Sequence, residues 1–293
     1  MHKSGFVNII GNPNVGKSTL MNAFVGEKLS IITSKAQTTR HRIFGIVSGE
    51  DFQVVFSDTP GIIKPQYALQ SSMMDFVKSA FEDADILLYM VEVGEKELKD
   101  EAFFQRINQL KVPVLLLLNK VDQTQQAQLE EQVAYWKEKV PKAEIFPISA
   151  LHHFQTEVVF NRILELLPEG PAFFPEDQLT DKPERFFVNE IIREKILLQY
   201  QKEIPYSVEV ETEAFIDSDT ILHLRTVIMV ERESQKGIII GHKGEALKKV
   251  GIAARADLEK FFGKQVHLEL FVKVNKDWRS NARQLRRFGY DLK

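Results

Sequence analysis

"GNPNVGKS", residues 11–18, decides how the first half of the chain folds. It follows the apolar run "FVNII" (6–10) and precedes "TLMNAFVG" (19–26), in which Leu20 and Phe24 stand one helical turn apart and Gly26 is placed to end the helix. A Gly-x-x-x-x-Gly-Lys-Ser pattern between a strand and a helix is a phosphate cradle. Its glycines let backbone N–H groups wrap phosphate oxygens at a helix N-terminus. The sequence therefore predicts that Gly11, Asn12, Pro13, Asn14, Val15, Gly16, Lys17, Ser18 and Thr19 line a nucleotide. Lys17 would reach the β- and γ-oxygens, and the Ser18 hydroxyl would bind Mg²⁺.

Working outward, the runs "VVFS" (54–57), "ILLYMV" (86–91), "VPVLLLLN" (112–119) and "EIFPIS" (144–149) alternate with helical segments and are mostly apolar on both faces. That pattern predicts a doubly wound α/β domain with a mostly parallel sheet, whose functional groups sit at the carboxyl ends of the strands. Three such ends carry chemistry. "NKVD" presents Asn119, Lys120, Val121 and Asp122. A carboxylate at Asp122 accepts the N1–H and amino donors of guanine, a pair that adenine lacks, so the site should prefer GTP and GDP. Lys120 should pack beside the base. "SDTPG" supplies Asp58, Thr59, Pro60 and Gly61, followed by Ile62: Asp58 as a second Mg²⁺-holding group and the Gly61 N–H as a γ-phosphate sensor. "SAL" places Ser149, Ala150 and Leu151 where the Ala150 N–H could meet guanine O6. "QTTRH" (37–41), in a polar stretch after the first helix, offers the Thr39 hydroxyl as a third metal contact.

The 293 residues suit two domains. There are no cysteines, which removes disulfide frameworks, thiolate metal sites and cysteine nucleophiles and favours a reducing, cytoplasmic setting. The longest apolar stretch, "VPVLLLL", falls well short of the ~20 residues of a membrane-spanning helix. The net charge of −3 is unevenly spread: residues 1–181 hold 17 Lys and Arg against 24 Asp and Glu, and residues 182–293 hold 21 against 17. Beyond residue 235 the balance is 14 against 6, which would attract a polyanion.

"LPEGPAFFPEDQLTDKP" (167–183) carries four prolines and reads as a linker. The expected organisation is a nucleotide-binding domain over 1–168, a linker over 169–182 and a second domain over 183–293. The order of elements there is approximately α-β-β-α-α-β, with an antiparallel pair on either side of "DSDT", a helix broken at Gly251 and a basic C-terminal helix. Inside it, "GHKG" (Gly241, His242, Lys243, Gly244), extended by Lys248 and Lys249, is a second glycine turn at a helix N-terminus, suited to the phosphates of a single strand. In the tail, Trp278 is expected to anchor the core.

Together the five upstream motifs resemble those of the small GTPases. "GNPNVGKS", "QTTRH", "DTPG" and the distant "GHKG" narrow the resemblance to the Era family of the TrmE-Era group, bacterial GTPases with an appended type II KH domain. A TrmE-like tRNA-modifying role would need a folate-binding domain and a C-terminal cysteine, neither of which is present. The resemblance implies slow Mg²⁺-dependent GTP hydrolysis, with Lys17, Thr39, Gly61 and Asn14 at the reacting centre. It also implies a potassium ion held near Asn14, because Ile62 stands where Ras-like enzymes carry a water-positioning glutamine. It further implies RNA rather than DNA as ligand. That RNA would be the 3′ end of 16S ribosomal RNA, bound by a monomer that acts in small-subunit assembly and rRNA processing, with some peripheral association with the cell membrane. The alternative is a GTP-gated RNA-binding adapter with negligible intrinsic hydrolysis.

Overall fold

The computed structural model describes residues 1–98 and 100–290, which separate into two compact units, Met1–Gln66 with Gln70–Asp181 and Tyr67–Leu69 with Lys182–Lys293. Among the described residues no helix is long and apolar enough to cross a membrane.

The first unit is a six-stranded sheet in the order β2-β3-β1-β4-β5-β6. Its elements are β1 (Lys3–Ile10), α1 (Lys17–Val25), β2 (Ile43–Ser48), β3 (Phe52–Asp58), α2 (Ala68–Glu82), β4 (Ile86–Glu92), α3 (Glu101–Gln109), β5 (Val114–Asn119), α4 (Gln126–Lys139), β6 (Glu144–Pro147) and α5 (Thr156–Leu166). All neighbours are parallel except β2 and β3. β4 and β5 are buried almost end to end, as strands covered on both faces must be. The anticipated core contacts of α1 are present: Leu20 is buried, Phe24 stacks on Phe56 at 4.9 Å, and Gly26 closes the helix at φ +79.

β2 was not among the expected strands. It is an edge strand whose short apolar run "IFGIVS" is interrupted by Gly45. The proline-rich segment runs along the first unit: Pro168 O accepts the Ser4 N–H, Leu179 O accepts the Ile46 N–H, and Asp181 accepts the Phe44 N–H at 2.9 Å. Prolines suit such a strap, because the backbone needs acceptors there more than donors.

The second unit comprises α6 (Glu184–Gln199), the single turn α7 (Ile204–Ser207), β7 (Glu209–Asp217), β8 (Ile221–Val230), α8 (Glu233–Ile240), α9 (Glu245–Phe262), β9 (Gln265–Val274) and α10 (Ala282–Arg287). β7 and β8 are antiparallel, β8 and β9 parallel. Its core is aliphatic, with Ile192, Ile196, Ile228, Val250 and Leu258 at its centre. One expectation needs correcting. α9 runs unbroken through Gly251, where an added Cβ would meet only Leu270 at an ordinary contact distance of 3.5 Å, so the glycine neither breaks the helix nor is demanded by packing. The apolar run before "GHKG" is the end of α8. The basic tail helix starts only at Ala282, because Asn281 caps it through the N–H groups of Arg283 and Gln284. Trp278 lies before that cap, fully buried, with its indole N–H on Ser207 O at 3.0 Å.

Candidate functional site

The carboxyl ends of β1, β3, β4 and β5 open on one edge of the first sheet, and the predicted motifs meet there. Residues 11–18 turn sharply into α1, with Gly16 at φ +105. A Cβ on Gly16 would lie 2.3 Å from Asn119 Nδ2, so this glycine is required by close approach as well as by conformation. Lys17 is buried and points back across the loop, its Nζ donating to Asn12 O at 2.9 Å and Gly11 O at 3.3 Å. Burial draws its pKa down to about 8, against the opposing pull of Asp58 and Glu95. Asn14, at φ +67 and exposed, donates to Ser34 O at 2.9 Å. Val15 is buried, and Pro13, Thr19, Lys17 and Gly61 are among the residues lining a cavity of about 300 Å³.

Ser18, Thr39 and Asp58 converge. The Ser18 hydroxyl donates to Asp58 Oδ2 at 2.7 Å and lies 2.9 Å from the Thr39 hydroxyl, which itself approaches Oδ2 at 3.3 Å. Asp58 is fully buried, and its Oδ1 makes no hydrogen bond among the described residues. Burial pushes its pKa up, opposed chiefly by Ser18 and Lys17. An orphaned carboxylate oxygen beside two hydroxyls is a hard-oxygen donor set that fits Mg²⁺. Behind it, the Thr59 hydroxyl donates to Ile9 O at 2.7 Å and Pro60 is buried. Gly61 packs on Pro13, where a Cβ would come within 2.6 Å of Pro13 Cα. Ile62 is buried, with its N–H on Gly11 O at 3.1 Å.

The base motif departs in detail from the sequence reading. The Asn119 amide spans two loops, donating to Val15 O at 2.7 Å and accepting the Ala150 N–H at 2.9 Å. The Ala150 N–H, expected to face guanine O6, is thus given to Asn119. Asp122 sits in the single 3-10 turn Val121–Gln123 entered through Lys120 at φ +67. Its Oδ1 accepts the Ser149 hydroxyl at 2.6 Å, and that bond holds the carboxyl below the usual carboxylate range. His152 Nε2 lies 3.9 Å from Oδ2. Leu151 is exposed, at the mouth of this loop. Sequence reasoning missed Glu92, which pairs with Lys120, and Glu95, which binds Asn12. Both lie at the end of β4, which has no motif of its own.

In the second unit Gly241 (φ +71), Lys243 (φ +49) and Gly244 (φ +80) form the turn into α9. Among the described residues no side chain caps that helix, which leaves its first N–H groups to an anion. His242, Lys243, Lys248 and Lys249 are exposed around it. A groove of about 440 Å³ lies alongside, lined by Gly244, Leu247, Lys248, Gly251, Leu268 and Leu270.

Residues 6–120 match the family of 50S ribosome-binding GTPases, and residues 203–279 match the KH domain family. Over the full length of both chains the protein is similar, at 40% identity and a TM-score of 0.95, to Era in complex with MgGDPNP and nucleotides 1506–1542 of 16S ribosomal RNA. The chain belongs to the Era family. A tyrosine-to-alanine variant of Aquifex aeolicus Era bound to GDP and AlF4⁻ is similar at 41% identity, over 99% of this chain and 100% of that one, with a TM-score of 0.94. Era-type architecture, a P-loop GTPase domain with a mostly parallel sheet followed by a KH domain, accounts for both glycine turns.

Proposed function

We propose that this Era-family GTPase binds GTP and GDP with Mg²⁺ at the edge formed by residues 11–19, 39, 58–62, 119–122 and 149–151. In this reading it hydrolyses GTP slowly and uses its KH turn to hold the 3′ end of 16S ribosomal RNA during assembly of the small ribosomal subunit. The observation that carries the nucleotide half is the meeting of Ser18, Thr39 and the buried Asp58 beside Lys17. The RNA half is supported by the uncapped N-terminus of α9, its exposed His242, Lys243, Lys248 and Lys249, and the likeness to an RNA-bound relative.

The residues take the following roles in this reading. Backbone N–H groups of the loop and the Lys17 ammonium cradle the phosphates. Ser18, Thr39 and Asp58 would hold Mg²⁺, which when bound neutralises charge on the phosphate oxygens. The Gly61 N–H would face the γ-phosphate, so residues 58–62 and the segment carrying Thr39 would order when that phosphate is present. Asp122, aligned by Ser149, reads the guanine edge, while Asn119 ties the base motif to the phosphate loop. Ile62 is apolar and buried, so it cannot orient a water, and the intrinsic rate is low. A potassium ion at Asn14 would supply the missing positive charge.

The same buried Ile62 favours a second reading, an RNA adapter that is occupied by GTP and hardly hydrolyses it. Single-turnover hydrolysis of bound GTP, with and without the 16S 3′-terminal RNA, separates the two. The GTPase reading expects Mg²⁺-dependent conversion to GDP that EDTA abolishes. Unconverted GTP in both conditions would leave the adapter.

A further inference from the structure

The strand order places β4 between β1, which delivers the phosphate loop, and β5, which delivers Asn119–Asp122. β4 itself carries none of the five nucleotide motifs. The turn at its end, Glu92–Glu97, is nevertheless built against both neighbours. Gly94 takes φ +88, and the Glu95 N–H returns to Glu92 O at 3.0 Å. Glu95 Oε2 accepts the Glu92 N–H at 3.0 Å, which closes the turn and leaves Oε1 to accept the side-chain amide of Asn12. That amide also donates to Glu97 O at 3.0 Å. On the other side the Glu92 carboxylate pairs with Lys120. The outer part of the turn is fastened to α4, the Gly94 N–H donating to Gln132 Oε1 at 3.2 Å and the Tyr135 hydroxyl to Lys96 O at 2.5 Å.

Asn12 is therefore held by its side chain while its carbonyl holds Lys17. We propose that Glu95 is a positioning residue for nucleotide binding: it latches the phosphate loop through Asn12, and together with Glu92 on Lys120 it makes the turn after β4 the strut that spaces the phosphate loop from the base motif. This rests on the guanine-nucleotide reading given above. Glu95 touches no reacting atom. It acts on the fraction of molecules whose loop is ready to receive phosphates, and a loop competent about a tenth of the time binds about tenfold more weakly. Burial raises the Glu95 carboxyl, opposed by the Asn12 amide, the Glu92 N–H and Lys17 and reinforced by the Glu92 charge. A buried acceptor in that position is costly without its donors, so the Asn12 contact is strongly favoured.

The test is a titration of the full chain with mant-GDP and Mg²⁺ for the wild type, Glu95→Ala, Asn12→Ala, the double variant and Glu95→Gln. Each alanine variant should bind about tenfold more weakly. The double variant should also lose about tenfold rather than a hundredfold, since either change alone opens the latch. Glu95→Gln keeps an oxygen for the Asn12 amide but turns its NH2 onto the Glu92 N–H, so it should recover only part of the affinity that Glu95→Ala loses. Thermal unfolding without nucleotide checks that each variant folds. Should Glu95→Ala not fold, Glu95→Asp takes its place in the cycle, keeping the charge while falling one methylene short of Asn12, with the same expected loss. Wild-type affinity in Glu95→Ala, or in Glu95→Asp where it stands in, or losses that multiply in the double variant, would overturn the latch. Failure of the wild type to bind mant-GDP would overturn the nucleotide reading itself.

Discussion

Asp122→Asn is the substitution that probes base recognition most sharply, because the structure fixes how the new amide must sit. The Ser149 hydroxyl donates to Asp122 Oδ1 at 2.6 Å. An asparagine would keep its oxygen in that bond and turn its nitrogen toward the place of Oδ2. Guanine presents two donors there, so one acceptor is lost and a donor faces a donor. Loss of a charge-assisted hydrogen bond costs about 1.5–3 kcal/mol, roughly 10- to 150-fold in Kd. The Asp122 side chain is 27% exposed, and solvent screening places the expectation in the lower part of that range, about 10- to 50-fold. Xanthine carries a carbonyl where guanine carries its amine, so xanthosine diphosphate should gain by a similar factor. The assay is competition of GDP and xanthosine diphosphate against mant-GDP, where the preference for GDP should fall by at least about a hundredfold. An unchanged preference would refute the role given to Asp122. The sign of the pH dependence follows from the same bond. Ser149 depresses the Asp122 carboxyl below its ordinary range, so the charge is present above that range and is lost only when the pH falls through the depressed value. Wild-type preference for GDP should accordingly stay flat between pH 8 and pH 5, read in the same competition assay.

Four further outcomes are expected. Trp278→Ala removes a fully buried ring and leaves Ser207 O without its donor; it should destabilise the KH unit by about 3–5 kcal/mol, seen in thermal unfolding, while mant-GDP affinity is retained. Replacing Na⁺ by K⁺ should accelerate single-turnover GTP hydrolysis, and equal rates would remove Asn14 from the mechanism. Replacing His242 and Lys243 by Asp should weaken RNA binding at least about tenfold and leave GDP affinity alone. For the wild type, about four phosphate contacts give a log-affinity against log-salt slope of about −3, and a flat response would contradict that footprint.

What the sequence made legible, and what it did not, has a physical pattern. Residues 11–18, 58–61, 119–122 and 241–244 stood out because turns of fixed backbone conformation and spacing leave glycines and charged residues at set intervals. Edge strand β2 was missed, because Gly45 interrupts an already short apolar run. Gly251 was over-read as a break, since a single glycine inside a helix costs only about 1 kcal/mol, which the packing of α9 offsets. Glu92 and Glu95 were invisible for a different reason. They act through side-chain reach from a strand that bears no motif, and only the order of strands in the sheet brings them between Asn12 and Lys120. Asn119 was singled out by its neighbours in "NKVD", yet its two tethers, to Val15 and Ala150, depend on three loops meeting in space.

The central claim is that one chain holds a guanine nucleotide at its first glycine turn and an RNA strand at its second. Calorimetric titration of the protein loaded with Mg²⁺ and GDPNP, using the 3′-terminal 16S RNA sequence and a scrambled RNA of equal composition, addresses it most directly. The expected result is one RNA per chain, bound at least about tenfold more tightly than the scrambled strand. Equal binding of the two strands, or no binding of either by the nucleotide-loaded protein, would contradict it.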